Sequence, residues 1–175
     1  MVYNAAMQAG RPHRFLVAYA TKHGSTEEVA AAIAAALLAA GAEVQVQPAR
    51  KVRDLSPFDA VVLGAPLYAG RWHRDAHGFL KRHRRSLEQL PLAVFALGPR
   101  KPASEGTWAT SQAQLDNALL RDSWLAPVGV ALFGGVDPPK VKHERRDQRD
   151  WAAIRAWAGE LAATAAVWAE ADAAR

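Results

Sequence analysis

One stretch constrains this chain more than any other. Residues 15–20 form an apolar run short enough for a strand buried on both faces. The run breaks at once into Thr21, Lys22, His23, Gly24, Ser25 and Thr26, a hydroxyl-rich loop with a single glycine. An alanine-rich helix is predicted over residues 27–40, with Val29, Ile33, Leu37 and Leu38 on one side and Gly41 where a helix C-terminal glycine belongs. Strand, tight polar loop and helix start together make the geometry of a phosphate site. The N–H groups at a helix N-terminus lack intrahelical partners, and the helix dipole favours an anion there. Thr21, Ser25 and Thr26 add hydroxyl donors. Two readings of the loop are open: an anion site, or an ordinary helix cap by Ser25 or Thr26 with Glu28 nearby. The three-glycine dinucleotide fingerprint is not met, since only Gly24 is present, and the Gly-Lys-Ser/Thr ending of a P-loop is missing.

The rest of the chain alternates in kind. Strands are predicted at residues 43–47, ended by Pro48, and at 60–65, 92–97 and 128–133. Helices are predicted at residues 75–90, closed by Pro91, at 107–120 and at 151–172. In the last helix Trp151, Ile154, Ala158, Leu161, Ala165 and Trp168 step by three and four, a stripe read as core. Five strands alternating with helices imply an α/β fold: an open five-stranded parallel sheet, order 2-1-3-4-5, with helices on both faces. In such sheets ligands bind outside the carboxyl ends of the strands, where the order switches. The loops at that point are residues 21–26 and 66–73, with 98–106 beside them. Residues 1–13 read as a flexible leader and 14–172 as one domain.

Composition removes several chemistries. The chain has no cysteine, which excludes disulfides, thiol catalysis and thiolate-held metal. Histidines 73 and 77 have metal-ligand spacing but no evident third ligand, so no metal is assigned. The net charge is +5 and the pI near 9.9, pointing to acidic surfaces, anionic ligands or anionic lipids as partners. The basic runs 81–85 and 140–149 lack aromatic interleaving, so no nucleic acid is expected. No run is long and apolar enough to span a membrane, and a cytoplasmic location is expected.

Tyr68 and Trp72 suit stacking on a flat ring, and Gly70 admits a positive φ or a close backbone approach. The Thr-x-x-Gly-x-Thr pattern of residues 21–26, with this aromatic loop, resembles the flavodoxin family. Gly64, Ala65, Gly70, Arg71, Trp72, His73, Phe79, Leu80, Lys81, Arg100, Lys101 and Pro102 resemble its branch of bacterial menaquinone-dependent protoporphyrinogen oxidases. The resemblance implies an FMN-binding oxidoreductase or electron-transfer protein. It implies a phosphate loop of Thr21, Lys22, His23, Gly24, Ser25 and Thr26. The ring loops it implies are Pro66, Leu67, Tyr68, Ala69, Gly70, Arg71 and Trp72, then Leu97, Gly98, Pro99 and Arg100. In flavodoxins a carbonyl of the first ring loop turns toward flavin N5 on reduction, and the Ala69–Gly70 peptide matches it. His73 is a candidate proton donor near the ring.

The implied redox partner is a soluble reductase, a quinone or a porphyrinogen, and a flavodoxin-fold binding module without flavin is the alternative of another class. That branch carries a long apolar insertion before the last helix. Here residues 136–149 are short and charged, with Lys140, Lys142, Arg145, Arg146 and Arg149 against Asp137, Glu144 and Asp147. Only weak, reversible contact with anionic membrane is expected from such a segment.

Overall fold

The computed structural model describes residues 11–100 and 105–173, with residue 105 and residues 166–173 as backbone only. Five strands run parallel: β1 (Arg14–Tyr19), β2 (Glu43–Pro48), β3 (Ala60–Tyr68), β5 (Leu92–Leu97) and β6 (Gly129–Phe133). Their order is β2-β1-β3-β5-β6, the predicted order once the short β4 (Arg71–Trp72), which pairs only with β3, is set aside. Four helices cover the sheet: α1 (Ser25–Ala39), α2 (Arg74–Leu87), α3 (Glu105–Leu120) and α4 (Trp151–Ala173).

Successive side chains of a strand point to opposite faces, and this period divides the apolar runs into two cores. Leu16, Ala18, Val61, Leu63 and Val94 pack with Phe79 and Leu80 of α2 and Leu115 of α3. Phe15, Val17, Val62 and Phe95 pack with Ile33 and Leu37 of α1 and Ile154 and Leu161 of α4. The last of these are the predicted stripe of α4; the side chain of Trp168 lies outside the described residues. Each fully buried Phe, Leu or Ile contributes about 1.5–3 kcal/mol relative to exposure. Gly64 is set by the second core. A Cβ there would lie 1.9 Å from the Phe95 ring, so the close approach of that ring admits no side chain.

Two local devices fix how the strands meet the helices. Gly41, at φ +91°, ends α1: its N–H donates to the Leu38 carbonyl (3.0 Å) and that of Ala42 to the Leu37 carbonyl (3.1 Å), satisfying two end carbonyls. Residues 66–73, expected as a loop, form a hairpin instead. β3 continues through Tyr68, reverses at Ala69 (φ 46°) and Gly70 (φ 75°), and returns as β4, with Leu67 opposite Trp72 and Tyr68 opposite Arg71. Two central residues with positive φ are what a tight two-residue hairpin turn requires. Of the leader, residues 1–10 lie outside the described residues, whereas Arg11 is fastened to the Asp59 carboxylate (2.9 and 2.5 Å).

One buried polar group lies away from the sheet's carboxyl edge. His83 of α2 faces inward, its Nε2 3.3 Å from the Val52 carbonyl. Burial is the largest cause of a pKa lowered from 6.5, opposed by the Val52 hydrogen bond and by Asp54 and reinforced by Arg82. The unfolded chain therefore binds more protons as the pH drops through the ordinary histidine value. This contribution to stability is complete above that value and is lost as pH falls toward the folded pKa. The Tm should decline between about pH 7.5 and pH 5.5, a window spanning the usual histidine pKa, and His83→Gln should shrink the decline. An unchanged decline would assign the sensitivity elsewhere, for instance to His77, whose pKa burial also lowers.

Candidate functional site

The turn after β1 is built around Gly24. Its φ of +89° suits glycine, its N–H donates to Thr21 Oγ1 (2.9 Å), and it is the N-cap of α1. No side chain caps this helix, so the capping role open to Ser25 or Thr26 is filled by neither. The N–H groups of Ser25, Thr26 and Glu27 accordingly have no partner among the described residues, whereas that of Glu28 reaches the Gly24 carbonyl (3.1 Å). Thr26 is fully buried, at 0% exposure, and its Oγ1 is the buried side-chain polar atom left without a hydrogen bond among the described residues. A buried hydroxyl in that state costs about 1–3 kcal/mol. Beside three unpaired amides at the positive end of a helix dipole, it marks a place suited to an anion.

A cavity of about 240 Å³ opens at this turn. Its walls come from four chain segments at the carboxyl ends of the strands. They are Lys22, His23 and Ser25 after β1; Pro66, Leu67 and Tyr68 at the end of β3; Leu97, the last residue of β5, with Gly98 and Arg100; and Gly135, Val136, Asp137, Pro138 and Arg145 after β6. A second cavity of about 440 Å³ adjoins it. The two share Leu67, Gly98, Arg100, Asp137 and Pro138, and the second adds Ala69, Gly70, Pro99, Ser111, Gln114, His143 and Arg146, among others. The rear wall is tight. Gly98 N–H donates to the Phe133 carbonyl (2.9 Å) and Gly135 N–H to that of Pro99 (2.7 Å), and a Cβ on Gly135 would lie 2.7 Å from the Gly98 oxygen. Tyr68 is half-buried, edge-on to His73 at 6.3 Å, and burial raises its phenol pKa.

The structure thus gathers most of the residues singled out in the sequence. Lys22, His23, Ser25, Pro66, Leu67, Tyr68, Leu97, Gly98 and Arg100 line the first cavity, and Ala69, Gly70 and Pro99 the second. Thr21, Gly24 and Thr26 line neither cavity and belong to the turn that carries Lys22, His23 and Ser25. Three residues fall elsewhere. Arg71 is exposed and lines neither cavity. Trp72, expected to stack on a ring, is 2% exposed: its Nε1 donates to the Ala65 carbonyl (3.1 Å) and its ring meets His77 edge-on. The β4 pairing puts it in the core with Ala76 and Phe79. His73 caps α2, its Nδ1 accepting from Asp75 N–H (3.2 Å), and it lines neither cavity. Lys101 and Pro102 lie outside the described residues.

The segment after β6 was not expected in the site, yet it forms one wall. Val136 and Asp147 form an antiparallel bridge, and Asp137 is buried between them and the cavity. Its Oδ2 accepts from Arg146 Nε (2.9 Å) and N–H (3.2 Å), with His143 Nδ1 at 3.7 Å, while Arg145 Nε donates to its carbonyl (2.9 Å). The Arg146 side chain holds the Asp137 carboxyl below its usual pKa. The signal was present in Gly134-Gly135, followed by an acid and two prolines and, later, by paired arginines.

A family model described as flavodoxin domain matches residues 16–148. The chain belongs to the flavodoxin domain family. A sequence relative is the protoporphyrinogen IX dehydrogenase [quinone] of Escherichia coli (strain K12), 24% identical over 131 residues, spanning 73% of this chain and 71% of that one. Solved structures sharing the fold include a flavodoxin from the domain Archaea (TM-score 0.59, 16% identity, 87% of this chain and 98% of the other). The two-electron reduced flavodoxin of Megasphaera elsdenii is a second (TM-score 0.57, 22% identity, 86% and 98%). This flavodoxin domain differs from an ordinary capped helix start in the state of Thr26. In ligand-free protein, Thr26→Val should leave the Tm unchanged or raise it, because it removes an unpaired buried hydroxyl. Thr21→Val should instead cost about 1 kcal/mol, because it strands the Gly24 N–H. Comparative thermal melts read both.

Proposed function

We propose that the protein binds FMN and works as a flavin-dependent oxidoreductase or electron-transfer protein. The observation that carries this reading is Thr26: a buried hydroxyl without a partner, next to three unpaired amides and to Ser25, which lines the cavity. Those donors fit a phosphate monoester. The adjoining walls fit a flat, largely apolar ring, since they offer the Tyr68 ring, Leu67 and Leu97 together with backbone amides. The Thr21, Ser25 and Thr26 hydroxyls and the amides of residues 25–27 would hold the phosphate. Tyr68 would cover a ring face, and the Ala69–Gly70 turn and residues 97–100 would meet its edges. FMN, when bound, supplies one- and two-electron chemistry, and the chain supplies position and electrostatics. Neither His73, spent on capping α2, nor Trp72, spent in the core, is needed for it.

A second, narrower reading makes the protein a quinone-linked protoporphyrinogen dehydrogenase. The similarity to the Escherichia coli enzyme favours it. Against it stands the character of residues 136–149, which fold onto the cavity and present Lys140 and Lys142 outward without an apolar anchor. No helix among the described residues is long and apolar enough to cross a membrane. We therefore assign a soluble redox partner, or a quinone met transiently, with at most salt-sensitive contact to anionic lipid.

Titration of the purified protein with FMN and with riboflavin tests the assignment. FMN should bind much more tightly, and Thr26→Val should weaken it by about 1.5–3 kcal/mol, the range for a hydrogen bond to a charged group, while changing riboflavin little. A colourless protein that takes up neither flavin would turn the reading toward a binding module of another kind.

Fluorescence separates the aromatics. Tyr68→Ala should restore emission of bound flavin, while Trp72→Phe should keep the quenching and lower the Tm. Quenching lost in the Trp72 variant alone would return the stacking role to that residue.

A further inference from the structure

The first turn of α1 carries two acids, Glu27 and Glu28. They complement the helix dipole while nothing is bound, but an anion seated at the same N-terminus meets them as like charges. The structure disposes of each differently. Glu27 Oε1 accepts the Tyr19 hydroxyl at 2.7 Å, which turns that carboxylate toward β1. Glu28 is met by Arg149, whose Nη1 lies 2.5 Å from its Oε2.

Arg149 is not an incidental surface partner. Its side chain is only 6% exposed. Nε and Nη2 grip the Asp147 carboxylate at 2.9 and 2.6 Å, which leaves Nη1 directed to Glu28, and the guanidinium lies 4.6 Å from the centre of the Trp151 ring. The chain that delivers it is pinned where β6 ends. Gln148 N–H donates to the Gly135 carbonyl (2.9 Å), and Gly134 has no room for a Cβ, which would sit 2.0 Å from the Gln148 oxygen. A planar fork held on one carboxylate offers its remaining donor in a fixed direction, so little rotamer freedom is lost in reaching Glu28.

We propose that Arg149 is a positioning residue for ligand selection: by pairing with Glu28 it offsets a like charge at the N-terminus of α1 and so strengthens the preference of the cavity for phosphorylated over unphosphorylated ligand. The inference rests on the reading that the cavity takes FMN. It is independent of the contacts to the ring, because riboflavin presents the same ring without the phosphate. It also gives the segment after β6 a second task besides walling the cavity, since the cation that neutralises α1 arrives on that segment's return.

The experiment measures the Kd of FMN and of riboflavin for each variant at low salt and compares the preference, Kd(riboflavin)/Kd(FMN). Arg149→Met, which keeps an apolar stem beside Trp151, should lower the preference about fivefold, the size expected for one partly screened charge a helical turn away. Glu28→Gln, with Arg149 in place, should raise it by a similar factor. The double variant should return to the parental value, and all differences should shrink at high salt. Equal loss of both flavins in Arg149→Met would make the residue merely structural and overturn the proposal, as would a double variant that stays low. Should Arg149→Met not fold, Glu28→Gln decides alone, since a preference that does not rise removes position 28 from the field of the phosphate. A parent protein that binds both flavins equally would overturn the FMN phosphate reading itself, whereas a parental preference left unmoved by these variants overturns only the role of Arg149.

Discussion

Strand β1 is hydrogen-bonded on both edges, to β2 and to β3, and from Phe15 to Tyr19 it is buried on both faces. Everything at the site depends on that placement. The chain leaves β1 toward β2 through α1 on one face of the sheet, and it leaves the neighbouring β3 toward β5 through α2 on the other face. The two connections therefore diverge at the carboxyl ends of β1 and β3, and the space between them is filled by neither. The unpaired N-terminus of α1 points into that gap because the turn is too short to supply a cap. Thr21 spends its oxygen on the Gly24 amide, and Gly24 itself has no side chain to offer.

The sequence made the sheet legible because burial on both faces leaves runs with no polar interruption, as in residues 15–20, 60–65 and 92–97. It also made the turn from β1 into α1 legible, since one glycine among hydroxyls between a strand and a helix start marks a tight turn. What was not legible shares a physical cause, namely that a side chain's destination was decided by a distant pairing. Trp72 reads as a loop aromatic until Leu67 is seen to pair with it, and the hairpin then carries it into the core. His73 reads as a candidate proton donor near a ring until α2 begins one residue later and takes its nitrogen as a cap. His83 sits in a run of cations that reads as a solvated face, yet it packs inward against the Val52 carbonyl.

The segment after β6 shows the same effect on charge. Read along the chain, residues 136–149 are a basic, solvated loop. In the fold much of that charge is committed locally: Arg146 to Asp137, Arg145 to the Asp137 carbonyl, and Arg149 to Asp147 and Glu28. Among the described residues, the cations of this segment left without an ion pair are Lys140, Lys142 and Arg145, and of these Arg145 lines the cavity. Net charge therefore overstates what this segment offers to an anionic surface. It understates what it offers to the cavity, where a buried Asp137 holds the arginines in place. A charged strap of this kind needs no apolar surface of its own, which is how a segment with so few aliphatic residues can still form an ordered wall.

Thr26 binds these observations together through linkage. The buried Thr26 hydroxyl without a partner, beside the three unpaired amides, is a standing cost to the folded protein, tolerated because the parallel sheet and its two cores over-determine the turn. Any ligand that satisfies these groups binds the folded chain and not the unfolded one, so it raises stability by RT ln(1 + [L]/Kd). A ligand that lacks the anion leaves the same groups unsatisfied and gains nothing from them. Under the proposed reading, selectivity for an anion would follow less from contacts added to the ligand than from donors the fold has left unpaired. The neighbouring charges then determine how much of that potential an anion realises, because Glu28 lies in the same helical turn as the donors. An anion can use those donors fully only while the carboxylate beside them is held by Arg149.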